Sequence, residues 1–277
     1  MVKEWLGLVL IFVAGCVPAG ENALPAATPD GSRFYFIQIS DTHWGARDGI
    51  AMTRSAVELI NHLPVKVEFV AITGDLFADS IRKEPVVSEG LEALKGLKIP
   101  VYCVPGNHDL IQDDFVRTKA IFGKHFGPTK QRVMVKGVAC LFLCTEFQNG
   151  NEAKSNTWQE EREDLEKLMG HPTCPVLVFM HHPPLRDLLG GEGQEAESWS
   201  EVTDPRWVHL FEKYPAIKGV FAGHFHRDEM AWIGAVPVYV APAVARFWDR
   251  QPALRLYEYK EGHINYWTLY PERPPKR

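Results

Sequence analysis

The chain has 277 residues, of which 45% are hydrophobic and 23% are charged. That composition is typical of a globular protein that buries a sizeable core, as one large domain or a compact two-layered one. The formal net charge is −5, which argues against a broad basic surface for nucleic acid, because such binding depends on neutralising phosphates.

The first fifteen residues have the pattern of a signal peptide. Lys3 provides a positive start, and the apolar run 6–13 is too short to span a membrane stably. The small residues just before Cys16 resemble the lipobox of bacterial lipoproteins. The resemblance implies cleavage before Cys16, lipidation of its thiol and export, with the protein lipid-anchored at a bacterial membrane and its domain outside the cytoplasm. A plain secretory signal with an incidental cysteine is the alternative.

The rest of the chain divides by composition. Residues 16–32 are rich in Ala, Pro and Gly and predict a flexible tether. Residues 33–271 carry the patterns of strands and helices and predict the folded domain, and residues 272–277 form a short tail. Four cysteines follow Cys16, with no short disulfide framework visible among them, so we predict buried free thiols.

Apolar strands alternate with amphipathic helices through the first half of the domain. The predicted order is strand 34–39, helix 50–63, strand 67–72, helix 86–97, strand 101–104 and helix 114–122. Near-continuous apolar strands of this kind indicate a sheet whose faces are covered by helices.

The second half is richer in strands. It predicts a hairpin of 131–135 and 138–145, helix 156–169, strand 176–180, helix 204–214 and five further strands between 217 and 270. Asp204 is a plausible N-cap of its helix, with Pro205 at the first helical position. An α/β first half followed by a β-rich second half predicts an α/β fold of two packed sheets flanked by helices.

Five polar motifs each follow a predicted strand. They are Asp41-Thr42-His43, Gly74-Asp75, Gly106-Asn107-His108-Asp109, His181-His182-Pro183-Pro184 and Gly223-His224-Phe225-His226. Open α/β sheets bind ligands beyond the carboxyl ends of their strands, so these loops can converge on one rim. Side chains at i and i+2 of an extended segment point the same way, so we expect His224 and His226 to address one point. We also expect Gly74 and Gly106 to let the backbone pass close to the site.

The residue types in these motifs suit a metal centre. Carboxylate and amide oxygens with imidazole nitrogens favour Mn, Fe, Zn or Ni over Mg or Ca alone. Each motif also has a simpler interpretation on its own, such as a turn residue at Asp41 or a satisfied pair at His181-His182. Five such motifs in one order favour a single site.

The order of the motifs resembles the calcineurin-like metallophosphoesterase superfamily, whose pattern is DxH…GD…GNH[DE]…H…GHxH. Every element is present between residues 41 and 226, and the spelling is similar to the class III cyclic-nucleotide phosphodiesterases. The resemblance implies an αββα sandwich of two mixed sheets and a centre of two divalent or trivalent transition-metal ions. It assigns Asp41, His43 and His226 to the first ion, assigns Asn107, His181 and His224 to the second, and makes Asp75 a bridge between them.

The resemblance also implies a reaction, the metal-dependent hydrolysis of a small phosphoester. Two ions about 3.5–4 Å apart turn a bridging water into hydroxide, which attacks phosphorus in line. His108 stays off the metals and serves as general acid for the leaving group, a role worth about 10²–10⁴-fold. Asp75, which holds both ions, is the second catalytic residue. The expected substrate is a nucleotide or cyclic nucleotide diester, with a phosphomonoester as the alternative.

The sequence departs from the family pattern at one position and leaves two roles open. Many relatives carry an acidic residue three positions after the bridging aspartate, where this chain has Ala78, with Asp79 one further on. The acid that orients His108 is therefore open. We predict that His182 supports the ligand loop or lines the pocket, because neighbouring side chains of an extended segment diverge. Residues 186–200 predict a surface loop or a lid, in which Arg186 and Trp199 are candidate substrate contacts.

Two classes of function compete at this point. One is a metal-dependent phosphoesterase, and the other is a non-catalytic binding lipoprotein on the same fold. The intact set of ligand positions together with His108 favours the enzyme. A DNA nuclease is disfavoured by the acidic balance and the lipid anchor, and a purple acid phosphatase by Ala78, where a tyrosine is expected.

Overall fold

A computed structural model describes residues 32–146, 157–170, 172–185, 205–246 and 250–272. The predicted signal peptide, Cys16, all but the last residue of the predicted tether, and Asp204 lie outside these ranges. So does the segment 186–200 with Arg186 and Trp199. Within the described ranges, no helix combines the length and apolar character needed to cross a bilayer.

Eleven strands in the described ranges form two mixed sheets. The strands are β1 (Arg33–Ile39), β2 (Val67–Thr73), β3 (Val101–Val104), β4 (Gln131–Val135), β5 (Val138–Phe142), β6 (Val176–Phe179), β7 (Ile217–Ala222), β8 (Glu229–Ile233), β9 (Val236–Val240), β10 (Leu254–Lys260) and β11 (His263–Leu269). One sheet has the order β11-β10-β1-β2-β3 and the other β4-β5-β6-β7-β9-β8. This confirms the predicted α/β fold of two packed mixed sheets.

Five helices cover the outer faces of the sheets. They are α1 (Gly49–Asn61), α2 (Glu84–Leu94), α3 (Phe115–Phe126), α4 (Thr157–Met169) and α5 (Pro205–Lys213), and a 3-10 turn, Gln112–Asp114, precedes α3. Buried residues of α1, α2 and α3 form one core with the first sheet. Residues of α4 and α5 form a second core with the other sheet.

The space between the two sheets is filled by aromatic side chains. Phe36 of β1 stacks on Phe69 of β2, with ring centroids 5.1 Å apart, and on Tyr257 of β10, at 4.9 Å. Phe179 and Phe221 of the second sheet meet the Phe36 ring edge-on. Such offset and edge-to-face pairs are the favoured geometries of buried rings, and they fix the two sheets against each other.

The predicted element boundaries differ from the structure by up to four residues. Helix α2 ends at Leu94 rather than at 97, β5 ends at Phe142 rather than at 145, and the largest difference is at α3. Helix α3 ends at Phe126, whereas the prediction ended at residue 122. The extra turn exists because Phe126 packs against Trp44 and Phe77, which lie in the loops that follow β1 and β2. Tertiary packing therefore extends the helix beyond the range that its local pattern indicated.

The four described cysteines are free and buried, as predicted: Cys103, Cys140, Cys144 and Cys174. Burial raises the pKa of the Cys144 thiol to about 12. It also raises the pKa values of Cys103 and Cys140 well above their ordinary range. These thiols are therefore packing groups of the core rather than ligands or nucleophiles.

The sheet topology brings several strand ends to one rim. Strands β1, β2 and β3 run parallel in one sheet, and β5, β6, β7 and β9 run parallel in the other. The buried Gln38 amide donates to the Thr73 hydroxyl and to the Ala222 carbonyl, each at 2.9 Å, and so ties the two sheets together at this rim. All five polar motifs follow strands that end there.

Candidate metal centre

Backbone hydrogen bonds hold the loops of the site against one another. Asp41 N–H donates to the Gly74 carbonyl at 3.0 Å, which joins the loops after β1 and β2. Gly223 N–H donates to the His181 carbonyl at 3.0 Å, which joins the loops after β6 and β7. The side chains of the site therefore project from loops whose relative positions are fixed by main-chain contacts.

Five of the predicted ligands have left-handed backbone conformations. Their φ angles lie between 43° and 70°; these residues are Asp41, His43, Asp75, His224 and His226. A non-glycine residue in this region costs of order 1–3 kcal/mol, and such strain clusters at functional sites. The expectation that His224 and His226 lie on an extended segment and address one point is therefore wrong. The turn separates their side chains, and each joins a different cluster.

The first cluster consists of buried carboxylates and imidazoles. His226 Nε2 lies 3.1 Å from Asp41 Oδ1 and 3.1 Å from His43 Nε2. His43 Nε2 lies 3.9 Å from Asp75 Oδ2. Within the described part of the chain, the buried Asp41 Oδ1 accepts no hydrogen bond. A buried carboxylate oxygen without a donor, facing two imidazole nitrogens, fits a bound cation.

The protonation of this cluster also suits a metal. Burial lowers the pKa of His43 to about 4, so its imidazole is neutral near pH 7. Burial alone would raise the pKa of Asp75, but the His181 and His43 rings lower it below its usual range. Neutral imidazoles and ionised carboxylates are the forms that coordinate metal ions.

The second cluster lies on the other side of Asp75. His181 Nε2 is 3.3 Å from Asp75 Oδ2 and 3.2 Å from Asn107 Oδ1. The His224 ring lies 5.1 Å from the His181 ring, measured between centroids. Because Asp75 Oδ2 faces His43 in one cluster and His181 in the other, this oxygen is placed between the two positions.

The tautomer of His181 is set by the backbone. Its Nδ1 donates to the Thr73 carbonyl at 2.8 Å, which leaves Nε2 directed at Asp75. Burial alone would lower the pKa of His181, but the Asp75 carboxylate raises it to about 10. A cation bound at Nε2 takes the place of that proton, as in other metal sites whose ligand histidine holds a backbone carbonyl through its second nitrogen.

Two glycines make room for these groups, as predicted. A Cβ atom at Gly74 would lie 2.2 Å from His181 Nδ1, and the φ angle of Gly74 is +86°. A Cβ atom at Gly106 would lie 2.2 Å from Asp75 Oδ1. Behind them, the buried Asp109 carboxylate accepts hydrogen bonds from Gly106 N–H at 2.8 Å and Phe77 N–H at 2.9 Å. Asp109 thus fastens the loop after β3 to the loop after β2.

His108 lies beside the clusters and belongs to neither. Its backbone N–H donates to Asp75 Oδ1 at 2.9 Å, and its ring centroid is 5.3 Å from that of His43. Its Nδ1 lies 3.0 Å from the Asp79 carboxylate. The acid left open by the sequence is therefore Asp79, which reaches His108 although it stands four residues after Asp75.

His182 also has a carboxylate partner, and the sequence did not indicate it. Its Nδ1 lies 2.7 Å from the buried Glu146 carboxylate, and its backbone N–H donates to the Thr145 hydroxyl at 3.2 Å. The His182 ring is 4.0 Å from His224 and 5.0 Å from His181 between centroids, so the expected divergence of the two neighbouring side chains is wrong. Thr145 and Glu146 follow β5 at the same rim, which is the signal that could have drawn attention to them.

A comparison with protein families agrees with this geometry. The family model described as Calcineurin-like phosphoesterase matches residues 34–228, a range that reaches from β1 to the loop after β7 and includes all five motifs. The chain belongs to the calcineurin-like phosphoesterase family. It is therefore a hydrolase that acts on phosphoesters, and its family depends on a dinuclear metal centre.

Individual relatives are more distant. The chain is 28% identical over 244 residues to Serine/threonine-protein phosphatase CPPED1 of Danio rerio, covering 76% of each chain. It is 27% identical over 216 residues to the protein named Probable cyclic nucleotide phosphodiesterase of Fibrobacter succinogenes, covering 74% of this chain and 78% of that one. Among solved structures, a dimetal phosphatase from Danio rerio has a similar fold, with a TM-score of 0.56 and 14% identity over 86% of this chain and 99% of that chain.

Proposed function

We propose that this enzyme hydrolyses a small phosphodiester with two metal ions held on either side of Asp75. The first ion would be held by Asp41, His43 and His226, and the second by Asn107, His181 and His224. The observation that carries the proposal is the position of Asp75 Oδ2, 3.9 Å from His43 Nε2 and 3.3 Å from His181 Nε2. When bound, such a pair of ions polarises the phosphoryl oxygens and supplies a nucleophile near neutral pH.

The residues of the chain then have separate tasks. Asp75 holds the two positions at a fixed separation, and the backbone N–H of His108 fixes the Asp75 carboxylate through Oδ1. The His181 ring donates from Nδ1 to the Thr73 carbonyl. The His224 backbone N–H donates to Asp41 Oδ2 at 3.2 Å. The buried loops therefore orient the ligands before any substrate arrives, which is the arrangement that electrostatic stabilisation of a charged transition state requires.

His108 is the group that we assign to the leaving group. With Nδ1 on the Asp79 carboxylate, its Nε2 is the ring atom left to hold a proton for the departing oxygen. About two fifths of its side chain is exposed, whereas the ligand rings of His43 and His181 are almost fully buried. A half-exposed histidine beside a buried metal centre can reach substrate, and a general acid at this place is worth about 10²–10⁴-fold.

The proposed substrate class is a nucleotide or cyclic nucleotide diester. One similar protein carries a name for phosphoprotein hydrolysis and another for cyclic nucleotide hydrolysis, so both diesters and monoesters belong in the test. The spelling of the motifs supports the diester. The alternative of a phosphomonoesterase predicts a reversed preference on the same assays.

A substrate panel tests the proposed function. Protein loaded with Mn²⁺ is assayed with bis(4-nitrophenyl) phosphate, 4-nitrophenyl phosphate and a 3′,5′-cyclic nucleotide under one set of conditions. We expect hydrolysis of the diesters, with chelator removing it and Mn²⁺ restoring it. Faster hydrolysis of the monoester would favour the phosphomonoesterase, and two bound ions without hydrolysis of any substrate would favour the non-catalytic binding protein.

We also propose that the enzyme is exported and lipid-anchored through Cys16. Strand β1 runs from Arg33 to Ile39 and delivers Asp41 to the site at its carboxyl end, so the tether joins the domain at the opposite end of β1. At about 3.3 Å per residue, this strand separates the anchor side from the metal centre by roughly 20 Å.

A further inference from the structure

The second metal position lies beside a histidine that the family pattern leaves without a role. We propose that His182 is an additional ligand of the second metal ion, with Glu146 as the residue that positions it. The proposal rests on the dinuclear centre of the proposed function and adds one ligand to it. The ion it would take is a borderline transition-metal cation of the Mn²⁺ to Ni²⁺ series.

The hydrogen bond of the His182 ring identifies the nitrogen that carries the lone pair. Nδ1 lies 2.7 Å from the Glu146 carboxylate, which is only 7% exposed and accepts the ring N–H. A neutral imidazole that donates from Nδ1 has its lone pair on Nε2. His181 shows the same arrangement, with Nδ1 donating to the Thr73 carbonyl. A ligand histidine that donates its second N–H to a carboxylate or a carbonyl is the common pattern in metal sites.

The positions of the three rings agree with a shared ion. One nitrogen from each of His181, His182 and His224 lies within 4.8 Å of the other two. The His182 ring is nearer to His224, at 4.0 Å between centroids, than His181 is, at 5.1 Å. The His182 ring therefore packs against the ring of a proposed ligand, and the buried Glu146 carboxylate holds its Nδ1.

An added imidazole changes the character of the second position. With Asp75 and Asn107, the position would offer five protein donors, three of them imidazole nitrogens. The first position would offer four, from Asp41, His43, Asp75 and His226. Five protein donors would exceed the four ligands of the tetrahedral shell that Zn²⁺ commonly adopts. We therefore expect the second position to hold six-coordinate ions, with nitrogen donors that raise its affinity along the series from Mn²⁺ to Ni²⁺.

Titration of the metal-free full-length protein with Co²⁺ tests this assignment without recourse to activity. Binding constants come from calorimetry, and the visible absorption of Co²⁺ strengthens as its coordination number falls. In His182→Ala we expect the second equivalent to bind about 10–100-fold more weakly and to absorb more strongly, with the first equivalent unchanged. Glu146→Gln keeps the ring but loses the charged acceptor that orients it. Because the imidazole can still bind the ion, we expect a smaller loss than in His182→Ala.

Thr145→Val is the matched control. It removes the hydroxyl that accepts the His182 backbone N–H and that also lies 3.3 Å from His182 Nδ1 and from Glu146 Oε1, but it leaves the imidazole and its carboxylate partner in place. We expect the second equivalent of Co²⁺ to bind this variant much more tightly than it binds His182→Ala. A His182→Ala protein with the wild-type constant and spectrum at the second equivalent would overturn the proposal, as would equal losses in His182→Ala and Thr145→Val. Fewer than two equivalents in the wild type would contradict the dinuclear centre itself, whereas two bound ions without phosphoester hydrolysis would contradict only the proposed function.

Discussion

The Nδ1 atom of His108 lies 3.0 Å from a carboxylate oxygen of Asp79, at the edge of the site where both side chains are partly exposed. A carboxylate in this position selects one tautomer of the imidazole and fixes the plane of the ring. The pair places an oriented histidine beside the first cluster without making it a ligand. Substitutions of His108 or Asp79 should therefore change catalysis without changing metal binding.

Replacing His108 with alanine should slow catalysis and leave both metal ions bound. The expected loss is about 10²–10⁴-fold for esters with alkyl or ribose leaving groups, which depart with a proton, and much less for nitrophenol. Rates are compared at saturating metal, with bound metal counted in the same samples. An equal fall for both kinds of ester would mean that His108 positions phosphate, and loss of an ion would mean that it is a ligand.

Asp79→Asn should reproduce part of the His108→Ala effect. The amide is a weaker acceptor for the His108 Nδ1–H and orients the ring less firmly toward the leaving group, so we expect about a tenfold loss on alkyl esters and little change on nitrophenyl esters. Asp113→Asn, in the exposed 3-10 turn Gln112–Asp114, removes the same charge away from His108 and should behave like the wild type.

The clustering of the motif side chains could be predicted from the sequence because the information for it is local. Each motif follows an apolar strand, and parallel strands end at one rim, so Asp41, Asp75 and His181 could be expected to meet before any contact was known. The partners of His108 and His182, by contrast, depend on the path of the loops. Asp79 reaches His108 through a left-handed turn, with φ of 52°, and no periodic pattern indicates such a turn.

Glu146 shows a second reason why part of the site could not be predicted from the sequence. It follows β5, which was predicted to continue to residue 145 but ends at Phe142. The chain leaves the sheet there, and this departure lets Thr145 and Glu146 reach His182. Alternation of side chains is a reliable guide within a strand and fails at its end, where the backbone turns. The same reason explains why His224 and His226 belong to different clusters.

Gly74→Ala should destabilise the fold and thereby disrupt the metal site. The Cβ of Gly74→Ala would meet His181 at 2.2 Å from Nδ1, on a backbone with φ of +86°. We expect the free energy of unfolding of the metal-free protein to fall by about 1–3 kcal/mol and metal binding to weaken. Denaturant titration measures the change.

Gly123→Ala is a control that should raise the free energy of unfolding rather than lower it. Gly123 lies in α3, and a Cβ there has no neighbouring heavy atom within 4 Å. Alanine is the better helix former by about 0.8–1 kcal/mol, so this variant should be slightly more stable than the wild type. If both glycine variants changed stability alike, the close approach at His181 would not be the cause.

Cys16→Ser should release the protein from the membrane fraction and leave the hydrolytic activity of the domain unchanged. Anchoring would come from acyl chains, at about 0.8 kcal/mol per buried CH₂, and not from the short apolar run. Fractionation of cells and labelling with radioactive palmitate check the prediction. Palmitate incorporation into the Cys16→Ser protein would exclude this lipidation site.

The most direct test of the dinuclear centre compares bound metal and turnover in the wild type and in Asp75→Ala. Asp75 is the one carboxylate placed between the two clusters, and without it the repulsion of the two cations is unshielded. Metal-free protein is titrated with Mn²⁺, and metal content and hydrolysis of bis(4-nitrophenyl) phosphate are measured on the same samples. We predict that wild-type activity reaches its plateau at two ions per chain and that Asp75→Ala loses metal at both positions together with its activity. Two ions bound to Asp75→Ala with near-normal turnover would contradict the account.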